Sequence, residues 1–186
     1  RVRFVCGGLA YGGLYVNSLR AGRIADPPGG IFGDIRKGRV LAFEPRIEGF
    51  EARVRESFAA QIMAESLGMT MPVVEPGVVV LEMPFQPNFV QQHGFHHAGV
   101  TTTGMDSACG YAAFSLMEAD AEVLTVEFKT SLLAPAKGCH FRYEGRVIKS
   151  GRTLLFTEGR AEADGKLIAT MSATMKAVRG LTQAGG

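Results

Sequence analysis

The chain of 186 residues has no apolar run of the roughly 18–20 residues that a bilayer-spanning helix needs. A transmembrane helix is therefore excluded, and no membrane partner is expected. Cysteine is scarce too: Cys6, Cys109 and Cys139 are odd in number and widely spaced, which suits neither a disulfide framework nor a CxxC-type metal site. A reducing, cytoplasmic setting is the expectation. Charge of one sign is also missing, since 20 Lys and Arg against 18 Asp and Glu leave only +2, so nothing points to nucleic acid. What is plentiful is apolar material. At 46% hydrophobic residues the chain is not wholly disordered, and its length suits one domain with a real core.

The chain divides into unlike parts near residue 48. Residues 1–48 hold eight Lys or Arg, four acids, nine glycines and Pro27-Pro28, and no helical or strand period survives that punctuation. This segment reads as a poorly ordered basic tail. Its first 16 residues match a secretion signal badly, because four glycines dilute the apolar stretch. Gly29-Gly30-Ile31-Phe32-Gly33 is no phosphate loop, since no strand precedes it and no Gly-Lys-Ser/Thr follows. A domain over 49–178 and a flexible tail over 179–186 complete the division.

Within the domain, Phe50–Leu67 spaces Phe50, Phe58, Ala59, Ile62, Met63 and Leu67 between charges, predicting one amphipathic helix ended by Gly68. Met71–Val74 and Gly77–Phe85 predict a hairpin around Glu75-Pro76-Gly77. Four strands follow a second helix: Val123–Leu132, Cys139–Ile148, Thr153–Ala163 and Leu167–Val178. In the first of these, Leu124, Val126 and Phe128 are expected on one face, with Thr125, Glu127 and Lys129 on the other. Asp164-Gly165 between alternating runs marks a tight hairpin. The order predicts an α+β fold, an antiparallel sheet around one long helix.

That long helix, Ala98–Met117, carries a single charge, Asp106, among small and apolar side chains. A helix without a charged face is expected to be buried nearly all round. A carboxylate there is costly unless partnered, and desolvation raises its pKa. Asp106 either pairs with a strand cation or lines a buried cleft, and the second is the functional reading. Upstream lie His93, His96 and His97, but Gly94 interrupts any helix that would align them, which disfavours a metal site. His97 falls instead at the helix cap, where the N–H groups of Ala98, Gly99 and Val100 are expected to be free to polarise a carbonyl. Asp106 lies further along the same groove. Together they suggest acyl chemistry.

The run Gln91, Gly94, His97-Ala98-Gly99 and Asp106 resembles the helix entry of the hotdog-fold acyl-CoA thioesterases, in particular the phenylacetate-pathway (PaaI-like) branch. That entry has Gln or Asn, then Gly-x-x-His-Gly-Gly, then an acid nine residues after the His, and each spacing is kept here. The resemblance covers about residues 50–178 and includes Leu132-Leu133-Ala134-Pro135-Ala136 and the Ser150-Gly151-Arg152-Thr153 turn. It implies an acyl-CoA thioesterase in which Asp106 acts as base or nucleophile. The Ala98 N–H would polarise the thioester carbonyl, Gly99 would allow close approach, and Gln91 and His97 would orient the carbonyl or the water. No cofactor is implied beyond coenzyme A as part of the substrate, with Lys149, Arg152 and Lys129 as candidates for its phosphates. Two departures stand out: Ala98 replaces the first Gly of the pair, and Ala134 stands where some relatives place a Ser, leaving Ser131 or Thr130 as substitutes.

An exposed edge strand favours pairing with a second copy. The resemblance implies a homodimer, or a homotetramer built from dimers, in which Asp106 of one chain faces the helix start of the other. Two other functions fit the same fold: a non-catalytic acyl-CoA-binding module, and a hydratase or dehydratase. A buried base argues against the first, and the lack of a second spaced proton-transfer residue argues against the second.

Overall fold

The computed structural model describes residues 43–180. In chain order it contains α1 (Phe50–Ala59), α2 (Ile62–Ser66), β1 (Thr70–Glu75), β2 (Val78–Pro84), a 3₁₀ turn (Pro87–Phe89), α3 (Ala98–Phe114), β3 (Ala121–Leu132), β4 (His140–Ser150), β5 (Leu154–Ala163) and β6 (Lys166–Arg179). The strands form one antiparallel sheet in the order β1-β2-β4-β5-β6-β3. The sheet wraps α3, the hotdog arrangement that the resemblance implies.

Why α3 can lie so deep is visible in two glycines. A Cβ on Gly145 of β4 would overlap the Ala108 carbonyl of α3, so the two backbones touch there. A Cβ on Gly104 would come within 2.6 Å of the Tyr143 ring. The helix itself contributes Val100, Met105, Ala108, Cys109, Ala112 and Phe114 to the core, and it meets Leu81, Phe141, Tyr143, Leu155 and Met175 from the sheet side. No helix among the described residues is long and apolar enough to cross a membrane.

Three expectations need correction. The single helix over Phe50–Leu67 is two: the chain breaks at Gln61, whose backbone is extended (φ −83°, ψ 99°). The break redirects the chain so that Ala64 and Leu67 enter the core while Ile62 and Met63 stay exposed. The alternation of β3 also fails, because its register against β6 shifts between Thr125 and Glu127. Before the shift Thr125 pairs with the buried Met175, and after it Phe128 pairs with the buried Ala173, so Thr125 and Phe128 share the sheet face that carries α3, with the Phe128 side chain still 47% exposed. An extra residue at a bulge resets which side chains face which way. Finally, α3 stops at Phe114, short of Met117; the Ser115 hydroxyl, which donates to Ala112 O, accepts from Gly77 N–H of the first hairpin.

Residues 43–48, grouped above with the tail, are seated on the domain. Phe43 packs against the core beside Gly77, and Arg46 donates to Gly151 O at 3.2 Å and pairs with Glu118 at 3.5 Å. At the other end β6 continues to Arg179, which pairs with Asp120 at 2.9 Å. Residues 1–42 and 181–186, the rest of the two expected tails, lie outside the described residues.

Candidate active site

The loop entering α3 is closed by its own backbone. Val90 and His96 form an isolated bridge, Gln91 N–H donates to Phe95 O at 2.8 Å, and His97 N–H donates to Phe89 O at 2.9 Å. His96 N–H reaches Ala136 O at 3.1 Å, so the Leu132–Ala136 stretch holds this loop against the sheet. The His96 ring is buried between Phe85 (centroids 5.0 Å apart, stacked) and Phe141 (4.3 Å). Its Nε2 accepts from Gln86 N–H at 2.9 Å, and burial pushes its pKa below the usual histidine value.

His97 is the N-cap of α3, and its Nδ1 accepts from Gly99 N–H at 2.9 Å. Val100 N–H bonds to His97 O at 2.9 Å. Of the three N–H groups expected to be free, Gly99 and Val100 are therefore engaged, because a capping side chain and the first helical turn claim them. The Ala98 N–H remains without a partner among the described residues. Gln91 turns its Oε1 back onto His93 N–H within the loop. The three histidines do not converge, and no group of His, Cys, Asp or Glu suited to a metal occurs among the described residues.

Asp106 lies eight residues along α3 from Ala98, a rise of about 12 Å at helical spacing. One chain therefore does not bring these two groups onto one carbonyl. Asp106 is half-buried, and burial raises its pKa above the ordinary aspartate value. The Thr125 hydroxyl donates to Asp106 Oδ1 at 2.8 Å, which partly offsets that rise. Both line a cleft of about 230 Å³ between α1, α3 and β3, whose walls also include Ser57, Gln61, Tyr111 and Glu122. A desolvated carboxylate held by one hydroxyl at the mouth of a cleft can remove a proton from water or attack an electrophile directly.

The sequence reading missed Thr125. Strict alternation groups Thr125 with Glu127 and Lys129, and the resemblance points to Ser131 or Thr130 as the substitute for a hydroxyl at Ala134. Ala134 instead uses its backbone, donating to Ile168 O at 3.2 Å, and the hydroxyl at the carboxylate comes from Thr125. Only the bulge reveals this. The three candidate phosphate cations do not gather in one chain. Lys149 and Arg152 lie near the β4–β5 turn, whereas Lys129 sits on β3, three strand spacings or about 14 Å away across the sheet.

Residues 93–169 match the family profile described as Thioesterase superfamily. The chain is similar to a human protein named acyl-coenzyme A thioesterase 13, with 32% identity over 104 residues, covering 54% of this chain and 74% of the relative. It is similar to the crystal structure of a thioesterase family protein from Silicibacter pomeroyi at 50% identity and a TM-score of 0.70, covering 71% of this chain and all of that one (100%). The PaaI protein of the E. coli phenylacetic acid degradation operon shares the fold (TM-score 0.66) at 16% identity, covering 70% of this chain and 94% of that one. With the wrapped helix, its lone carboxylate and these matches together, the chain belongs to the thioesterase superfamily, thioester hydrolases of the hotdog fold.

Proposed function

We propose that the protein hydrolyses an acyl-CoA thioester to the free acid and coenzyme A. The observation that carries the reading is Asp106: a carboxylate kept in an apolar helix at an energetic cost, held by Thr125 and opening on a cleft. In one route Asp106 takes a proton from water, the hydroxide adds to the thioester carbonyl, and the tetrahedral intermediate expels the CoA thiolate, which is then protonated. In the other, the carboxylate attacks, the thiolate leaves, and water hydrolyses the resulting anhydride. Label found in Asp106 after single turnover in ¹⁸O-water establishes the anhydride route, because in the base route all of the water oxygen enters the product acid.

The oxyanion site is the Ala98 N–H, which Gly99 lets a carbonyl approach and which the His97 cap and the Gln91 loop hold in place. Since about 12 Å of helix separates Ala98 from Asp106, the site is completed by a second copy, whose helix start faces this chain's carboxylate. Strand β3 supports that pairing: it is an edge strand with Leu124, Val126, Phe128 and Leu132 exposed. A homodimer, or a tetramer of dimers, is the functional unit. Lys149, Arg152 and Lys129 are then drawn from different chains toward the coenzyme phosphates.

Thiol release by the full chain from a panel of acyl-CoA esters, with an acyl-carrier-protein thioester as control, tests the proposal. Asp106→Asn is expected to lower kcat/KM by about 10²–10⁴-fold. Equal turnover by the variant rejects Asp106 as the reacting group, and saturable acyl-CoA binding without turnover points to a binding module instead.

A further inference from the structure

Residues 86–97 link the end of β2 to the first turn of α3, and the Ala98 N–H belongs to the peptide that leaves this link. Backbone bonds from Gln91 N–H to Phe95 O and from His97 N–H to Phe89 O close its middle. Among the described residues, one hydrogen bond ties its first residue to its far end: Gln86 N–H donates to His96 Nε2 at 2.9 Å. His96 is anchored on a second side, where its own N–H reaches Ala136 O at 3.1 Å in the β3–β4 connection. One residue before the cap, His96 therefore joins the end of β2, the β3–β4 connection and the start of α3.

The residue type is informative. The side chain is 3% exposed, and Phe85, stacked at an interplanar angle of 3°, and Phe141 hold its ring plane. Because Nε2 accepts, the proton of the neutral ring sits on Nδ1. Nδ1 is buried and has no partner among the described residues. An unmet buried donor is destabilising, and a leucine would fill the space between two aromatic rings without creating one. Packing alone therefore does not account for a histidine here, whereas the bond made by Nε2 does. What that bond steadies is a donor that works by its aim: a misplacement of about 1 Å in an active site can cost about a hundredfold in rate.

We propose that His96 is a positioning residue: through Nε2 its ring fixes the link from β2 so that the Ala98 N–H is aimed at the thioester oxygen in the transition state. The inference rests on the thioesterase reading above. Its test compares the full chain with His96→Leu, which fills the space without an acceptor, and His96→Gln, which offers an amide oxygen at about the reach of Nε2. The substrate is the acyl-CoA ester that wild type turns over fastest. His96→Leu is expected to lower kcat by about tenfold with KM changed less than about twofold, because an oxyanion contact strengthens in the transition state. His96→Gln should recover most of that loss. A packing role predicts the reverse order, since a buried amide costs more than an alkyl group. Leu turning over at least as fast as Gln, or a loss carried by KM, overturns the proposal. Should the Leu variant not fold, His96→Gln decides: kcat within about threefold of wild type supports the proposal, and a loss of about tenfold or more rejects it. Should wild type hydrolyse no ester, the thioesterase reading fails by itself, and amide hydrogen exchange decides the positioning. His97 and Gln91 amides exchanging about tenfold faster in the Leu variant than in the other two proteins, with Cys109 in mid-α3 unchanged, support it. Equal protection in all three rejects it.

Discussion

The Thr125 hydroxyl reaches Asp106 Oδ1 at 2.8 Å across the seam between β3 and α3, and it does so because the register of β3 slips just after Thr125. Without the slip, strict alternation from Phe128, which faces inward, would turn Thr125 outward. The carboxylate would then stand in its apolar helix with no hydroxyl to hold it.

Thr125→Val removes that hydrogen bond at nearly constant shape. A bond to a charged acceptor is worth about 1.5–3 kcal/mol, so kcat/KM is expected to fall roughly ten- to a hundredfold. The bond favours the ionised form of Asp106, and its loss should move the acid limb of the pH–rate profile to higher pH. A Val variant with an unmoved acid limb would show that Thr125 acts elsewhere.

Asp106→Asn should trade activity for stability. Burial raises the folded pKa of Asp106 above its unfolded value, so the protonated form is favoured by folding. That stabilisation is full below the ordinary aspartate range and is lost as pH rises through the raised value. At neutral pH the carboxylate is a net cost. The Asn variant is therefore expected to melt higher than wild type at pH 7, with the difference shrinking toward pH 3. Thermal scans at the two pH values decide it.

His96 makes the opposite demand on pH. Its folded pKa lies below the ordinary 6.5 because the ring is buried between Phe85 and Phe141. The unfolded chain takes up this proton first, so stability is full above about 6.5 and falls as pH drops from there toward the depressed folded value. His96→Phe should flatten this dependence. It also leaves Gln86 N–H without its acceptor and should cost about 1–3 kcal/mol at pH 7.5, read from denaturant midpoints.

Arg53 ties α1 to the far end of α3. Its guanidinium lies 3.9 Å over the Phe114 ring and donates to Met117 O at 3.4 Å and to Ala121 O. Arg53→Leu is expected to cost about 1–3 kcal/mol, and Arg53→Lys to recover only part of it, because an ammonium lacks the planar fork that serves ring and carbonyls together. Urea unfolding of the three proteins is the check; a Lys variant as stable as wild type would reduce the contact to simple charge.

Much of the architecture was legible along the chain. Asp164-Gly165 and Pro76-Gly77 sit in the turns they announce, and the charge-poor run from Ala98 is the helix the sheet wraps. Gln91, His97 and Asp106 stood out by spacing and by an acid that an apolar helix tolerates poorly. The split at Gln61 was hidden, because apolar residues at 58, 59, 62 and 63 continue a helical period even where the backbone turns out of it. The engagement of Gly99 and Val100 was hidden for a different reason: a cap side chain can accept one N–H and the first turn another, and residue types alone do not say which is left.

Sequence alone determined the pattern-bearing features here: which helix is buried, which acid it carries and where the chain turns, since each depends on neighbours a few residues apart. Tertiary structure decided that Thr125 meets Asp106 and that Ala98 lies too far from Asp106 to share its carbonyl. Those outcomes follow from a register slip between β3 and β6 and from the rise of one helix between two strands. Contacts across such distances are set by packing, which no local period records.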